Sequence, residues 1–182
     1  MSGADERIES RVDARELRRA LGQFATGVAV VTANGDAGRT VGITMSSFNS
    51  VSLDPPLVLF SLSRRAYSLP TLMDAGGYAI NILARSQEHL SNRFAAPLAD
   101  KWTAVDCERG LHGAPIIRGA LAHFECIPYA NHDGGDHVIF VGRVVRFSSS
   151  SQEEPLLFFR GRYHSVCGGD HAMSPWPLPI HY

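Results

Sequence analysis

The stretch "GITMSSFNSVSLDPP", Gly42 to Pro56, decides the fold. It starts as a strand-like run, dissolves into hydroxyl-bearing residues and halts at a double proline. Thr44, Ser46, Ser47, Asn49, Ser50 and Ser52 crowd together within it. Such short polar side chains compete for local backbone hydrogen bonds, which makes them turn formers. Hydroxyls and exposed backbone N–H groups also suit a loop that holds an anionic ligand. Composition alone leaves the plain turn and the ligand loop both open.

Outward from this stretch the chain reads as short strands separated by turns. Upstream, "TGVAVVTA" is a β-branched run with the character of a buried strand, Val28–Val31 being apolar enough to bury both faces. "NGDAGR" then supplies a hairpin turn, with Asn34-Gly35 at the positive-φ positions, and the chain returns through "TVGITMSS". Downstream, "LVLFSLS" is an apolar strand ending in Ser61 and Ser63, and "YAINIL" is the next strand. "ALAHFECIPYA" and "HVIFVGRVVRF" form a hairpin around "NHDGGD", and "PLLFFRGRYH" reads as a last strand. Helices are few. Asp13 with Glu16 makes an N-cap box ahead of Leu17, Leu21 and Phe24, which share one helical face. "YSLPTLMDAGG" carries Pro70 near its first turn, and "SQEHLSNRFA" has Ser86 as its cap and Leu90 and Phe94 facing inward. Many short strands with a few short helices predict a mainly β protein, a β-barrel with helical decoration. A doubly wound parallel sheet needs strand–helix alternation, which the second half lacks.

Composition narrows the function classes. The 182 residues suit one domain with a real core, and 17 Lys+Arg against 18 Asp+Glu leave no bulk charge to favour nucleic acid or anionic lipid. No apolar span is long enough for a membrane, and the charged start "MSGADERIESRVDARELRRA" is unlike a secretory signal. Cys107, Cys126 and Cys167 are odd in number and widely spaced, against a disulfide framework. The expectation is a cytoplasmic protein with a flexible arm at 1–12, one domain at 13–166 and an unassigned tail at 167–182.

Several motifs for other chemistries are missing. There is no G-x-S-x-G elbow around Ser46 and Ser47, no Walker A loop and no G-x-G-x-x-G turn. "NHDGGDH" gathers His132, Asp133, Asp136 and His137, but equally makes a hairpin loop and has no partner at a familiar zinc spacing, so no metal is expected. "RGRYH", Arg160 to His164, is either a polar strand tip or a docking face where Arg meets phosphate and Tyr and His meet a ring.

Taken in order, "FATGVAVVTA", "GITMSSFNSVSLDPPLVLFSL", "YAINIL", "LSNRFA", "GALAHFECIPYANHDGGDHVIFVGRV" and "GRYH" resemble the short-chain flavin reductases. Those are the reductase components of two-component flavin monooxygenases, built on the FMN-binding split barrel of Greek-key type. The S-F-x-S-V-S-x-x-P-P and GDH-x-I-F-x-G-R-V strings are two separate points of similarity. The resemblance implies a flavin, FMN or FAD, held by Thr44, Met45, Ser46 and Ser47, by Ser61 and Ser63, and by Ser68 with the amides that open its helix. Asn81, Arg93 and Phe94 map onto further flavin contacts, with Thr26 at the mouth of the first strand. Tyr163 and His164 are implied in binding NADH or NADPH, and His164 in positioning the nicotinamide. The implied enzyme passes hydride to flavin and releases it, reduced, to a partner monooxygenase, and is a homodimer. Two rivals stay open: a self-contained split-barrel flavoenzyme acting on a small organic substrate, and a non-catalytic module for flavin or haem.

Overall fold

The computed structural model describes residues 12–35, 38–97 and 100–166. The tail at 167–182, with Cys167, and nearly all of the N-terminal arm lie outside the described residues. Twelve strands run in chain order: β1 Thr26–Gly27, β2 Ala29–Asn34, β3 Thr40–Met45, β4 Asn49–Leu53, β5 Pro56–Ser63, β6 Tyr78–Ile82, β7 Cys107–Arg109, β8 Pro115–Ile117, β9 Ala122–Gly134, β10 His137–Ser149, β11 Leu157–Phe159 and β12 Arg162–His164. The helices are α1 Ala14–Leu21, α2 Leu69–Asp74 and α3 Glu88–Ala95.

Seven strands form one antiparallel sheet in the order β3-β2-β6-β9-β10-β5-β4. β3 stands at one edge of that order and β5 lies near the other. The Ser47 hydroxyl, just past the end of β3, nevertheless donates to the Ser61 carbonyl at 3.1 Å and accepts from the Ser61 N–H at 3.0 Å. That pair continues the β4–β5 register, in which Asn49 lies opposite Leu59. β3 and β4, the two ends of the order, are joined by only the three residues 46–48, so the rolled sheet brings its two edges together there. That is a split barrel: the strand pattern predicted a β-barrel, and the resemblance its split form.

The barrel fills with Val31, Met45, Phe60, Leu62, Tyr78, Ile80 and Phe140, all buried, with Phe60 stacked on Phe140 at 4.9 Å between ring centroids. Val28, Ala29, Val30 and Val31 are all buried, as expected of a strand covered on both faces. Their second face meets Leu83, Leu90, Phe94, Ile117 and Leu156. A small sheet, β1-β11-β12, is tied to the barrel by backbone bonds from Val28 N to Leu156 O, Leu83 N to Val28 O and Leu156 N to Leu83 O.

Four local readings change. "PLLFFRGRYH" is two strands, because Arg160 and Gly161 both take positive φ (50° and 77°) and turn the chain back into a hairpin. Ser86 does not cap α3. Its hydroxyl goes to Glu153, while Gln87 closes the preceding single turn of 3-10 helix by accepting from Ala84 N. The segment after Pro97 contains the β7–β8 hairpin, pinned under β9 by Glu125. α1 has its Asp13 cap, accepting from Arg15 N and Glu16 N at 2.8 Å, but Leu17, Leu21 and Phe24 stay exposed.

Candidate active site

The split is where the hydroxyl-rich stretch sits. Thr44 at the end of β3 donates from its hydroxyl to Ser91 O at 2.7 Å, fixing the strand to α3. Ser47 is spent on the stitch to Ser61. Two of the hydroxyls in the stretch thus hold the scaffold, and the stretch also lines a cavity.

Three cavities adjoin along β3. One of about 330 Å³ lies in the split, lined by Thr44, Met45, Ser46, Ser47, Ser61, Ser63 and His137. A second, of about 180 Å³, shares Thr44, Met45 and Ser46 with it and is walled by Ser91, Phe158 and Tyr163. The third, of about 460 Å³, meets the first at Ile43 and is lined by Arg39, Arg65, Tyr67, Ser68, Phe94, Lys101 and Trp102. Gly42 makes its floor: a Cβ there would lie 2.5 Å from Phe94 Cε1, so only glycine lets the ring pack flush against β3.

The third cavity is built for an anion. Its lining has three cations and no carboxylate. The Ser68 hydroxyl is buried there without a hydrogen-bond partner, and a buried unsatisfied polar group normally marks an absent ligand or water. Lys101 donates to Phe94 O at 2.9 Å, and burial pushes its ammonium below the usual lysine range. A phosphate beside Lys101 and Ser68 relieves both costs. A hydroxyl-lined slot that meets such a cavity at Ile43 is compatible with a flavin mononucleotide unit, its ring system in the split and its phosphate beside Ser68.

The expected site residues divide accordingly. Thr44, Met45, Ser46, Ser47, Ser61, Ser63, Ser68 and Phe94 line this run of cavities, as does Tyr163, whose hydroxyl is 2.8 Å from Ser91 Oγ. Asn81 is elsewhere. Fully buried, it donates to Val30 O at 3.1 Å and accepts from Ile117 N at 2.8 Å, tying β8 onto the barrel. Arg93 reaches across the surface to Thr103 O. Thr26 keeps a buried hydroxyl without a partner, outside the lining of the three cavities. His164 is exposed and follows Tyr163 on β12, so the two project to opposite sides; His164 rests edge-on against Phe159 at 5.8 Å.

Sequence reading missed Arg39, Arg65, Lys101 and His137. The "SRR" run after Ser63 and the GDH string carried a signal for two of them; Arg39 and Lys101 carried none, since only folding brings them together. The acidic residues of the "NHDGGDH" hairpin are engaged: Asp133 meets Arg64, just past β5, at 3.0 Å, and Asp136 meets His137 at 2.7 Å. Among the described residues no group of three His, Cys, Asp or Glu side chains converges. The Cys126 thiol is buried in the core, which pushes its pKa up to about 12 and removes it as a nucleophile.

Comparison with known proteins agrees with this geometry. Residues 21–166 match the flavin reductase like domain. A probable flavin reductase of Rhizobium meliloti (strain 1021) is 46% identical over 162 residues, 89% of this chain and 52% of its own length, so the chain spans about half of that relative. The reductase subunit HsaB of a flavin-dependent monooxygenase from Rhodococcus jostii is 39% identical over 91% of this chain and 84% of its own. The crystallised Streptomyces globisporus NADH:FAD oxidoreductase SgcE6, in complex with NAD and FAD fragments, superposes with a TM-score of 0.83 at 38% identity, covering 87% of this chain and 96% of its own. The chain belongs to the flavin reductase-like family, a family of oxidoreductases.

Proposed function

We propose that the chain transfers hydride from NADH or NADPH to FMN or FAD and releases the reduced flavin to a separate flavin-dependent monooxygenase. The observation that carries this reading is the join of a neutral slot in the split to a cationic cavity with the orphaned Ser68 hydroxyl. Names of relatives point the same way, among them an FMN reductase (NADH) of Agrobacterium fabrum and the HsaB subunits.

When bound, the flavin supplies the hydride-accepting chemistry. The protein's share is placement. Ser46, beside the stitched Ser47, presents hydroxyl and backbone to the ring edge, and Ser68, Arg65 and Lys101 hold the phosphate. Thr44 and Ser47 keep the slot rigid through their bonds to Ser91 and Ser61. Phe158 and Tyr163 wall the adjoining cavity, edge to face with ring centroids 5.5 Å apart, and keep water from the reacting face. Hydride transfer asks for orientation and exclusion of water, not an acid–base pair, and neither the slot nor this adjoining cavity is lined by a carboxylate. No covalent anchor is required, so exchange of the flavin competes with turnover.

The acting unit is a homodimer in the cytoplasm. Phe48, Phe124 and Phe147 make a stacked run from the core outward, with centroid spacings of 5.6 and 6.4 Å, and Phe147 is 68% exposed. This exposed ring is the surface on which we place the contact between the two copies, and sedimentation reads the oligomeric state directly. Among the described residues no helix is long and apolar enough to cross a membrane.

The test is an anaerobic spectrophotometric assay of NADH and NADPH against FMN, FAD and riboflavin, with a flavin acceptor behind a dialysis membrane. Reduced flavin should cross. Consumption of NADH with only bound flavin reduced makes the chain a self-contained flavoenzyme; no flavin binding makes it neither.

A further inference from the structure

The cationic cavity holds more than a flavin mononucleotide needs. A phosphate monoester carries a charge of about −1.5 to −2. Arg65 and Lys101, with the Ser68 hydroxyl, are enough for it. Arg39 is a third cation on the same wall, and no carboxylate in the lining neutralises it. Its guanidinium lies 4.0 Å over the centre of the Tyr67 ring. Tyr67 is 83% exposed, an unusual position for so large a ring. Stacked with Arg39, it stands in the lining of the cavity with most of its surface open to solvent. A cation and a pre-set aromatic face next to a phosphate site suit a second phosphate followed by a purine. The cavity, at about 460 Å³, is also larger than the slot in the split at about 330 Å³.

Resting on the flavin reading above, we propose that Arg39 and Tyr67 seat the adenosine-monophosphate half of FAD, so that the chain takes the dinucleotide in preference to FMN. Arg39 pairs with the second phosphate, and the adenine stacks on the open face of Tyr67. Base–aromatic stacking of this kind changes affinity by about tenfold. Both residues stand at the surface, so their removal leaves the barrel core and the slot untouched.

Equilibrium binding, read by flavin fluorescence with the purified chain, tests this without turnover. FAD should bind about tenfold or more tightly than FMN. Tyr67→Ala and Arg39→Ala should each bring FAD toward the affinity of FMN, weakening FAD binding several-fold more than FMN binding. Adenosine monophosphate alone should displace FAD and not FMN. Equal affinity of the unaltered chain for the two flavins overturns the proposal while leaving the reductase reading intact, as does an FAD preference that survives both substitutions. Displacement of NAD by adenosine monophosphate from the FMN-loaded protein, with FAD undisturbed, assigns the cavity to the nicotinamide dinucleotide and also overturns it. Binding of neither flavin removes the reductase reading itself, and this proposal with it.

Discussion

Ser47 extends the β4–β5 pairing towards the mouth of the split by using one hydroxyl as both donor and acceptor, at 3.1 and 3.0 Å, against the two backbone groups of Ser61. Ser47→Ala removes both bonds and leaves a half-buried N–H and carbonyl to find water. The expected cost is about 1–3 kcal/mol of stability. Urea unfolding followed by circular dichroism measures it, and flavin affinity should fall in the same variant. An unchanged midpoint with unchanged flavin affinity means the stitch does not hold the split.

Gly42→Ala tests the floor of the cationic cavity. The new methyl would stand 2.5 and 2.6 Å from Phe94 Cε1 and Cδ1 and 3.1 Å from Trp102 Cζ2. Phe94 is fully buried and Trp102 donates to Thr40 O at 3.2 Å, so neither ring retreats freely. Overpacking of this kind costs about 1–3 kcal/mol. The displaced rings narrow the cavity beside Ser68, so weaker binding of free phosphate or AMP should accompany the lower unfolding midpoint.

Glu125 gives the fold an acid limit. Its carboxylate is 2% exposed, accepts two hydrogen bonds from the Arg146 guanidinium and a third from Leu111 N at 2.6 Å. The Arg146 bonds, ahead of the Leu111 bond, hold its pKa below the usual value of 4.5. A depressed folded-state pKa means the stabilisation is present above the unfolded value and is lost as pH falls through the folded one. Stability should therefore decline below about pH 4.5 more steeply in the unaltered chain than in Glu125→Gln. The substitution itself should cost roughly 1–3 kcal/mol at neutral pH. Parallel slopes in the two acid titrations would falsify this role for Glu125.

Tyr163 and His164 should separate. Tyr163→Phe frees Ser91 Oγ and Asn92 Oδ1, at 2.8 and 3.2 Å, and loosens β12 from α3, for about 0.5–1.5 kcal/mol of stability. His164→Ala should spare the fold and weaken the nicotinamide half-reaction by about 5- to 150-fold, the range of one lost contact. Single-turnover reduction at saturating flavin reads the second effect. Loss of flavin with normal NADH kinetics would reverse the assignment of His164.

The legible parts of the sequence were those with a local cause. Asp13 caps α1, Pro70 opens α2 and the Val28–Val31 run is buried on both faces, each from its own chemistry. Misreadings arose where distant groups compete. Ser86 has the composition of a cap, but Glu153, far along the chain, takes its hydroxyl. Asn81 looks like a polar site residue in an apolar strand, and the β8 backbone is what satisfies it. The hydroxyl cluster was visible, but the division of labour within it was not, because Ser91 reaches Thr44 only in the folded barrel and Ser61 meets Ser47 only once β4 pairs with β5. Arg39 and Lys101 are separated by 61 intervening residues, and their shared cavity exists only in three dimensions.

A barrel whose two edge strands, β3 and β4, are joined by three residues and no ladder has a built-in tear line. Everywhere else the strands are laced by backbone ladders, which change only if the fold changes. Along the tear line, side chains alone set the width, so single substitutions at 44–47 or 61–63 can widen or narrow the mouth without disturbing strand pairing. Substitution along this border should therefore change how long a bound flavin stays while leaving the cloth intact.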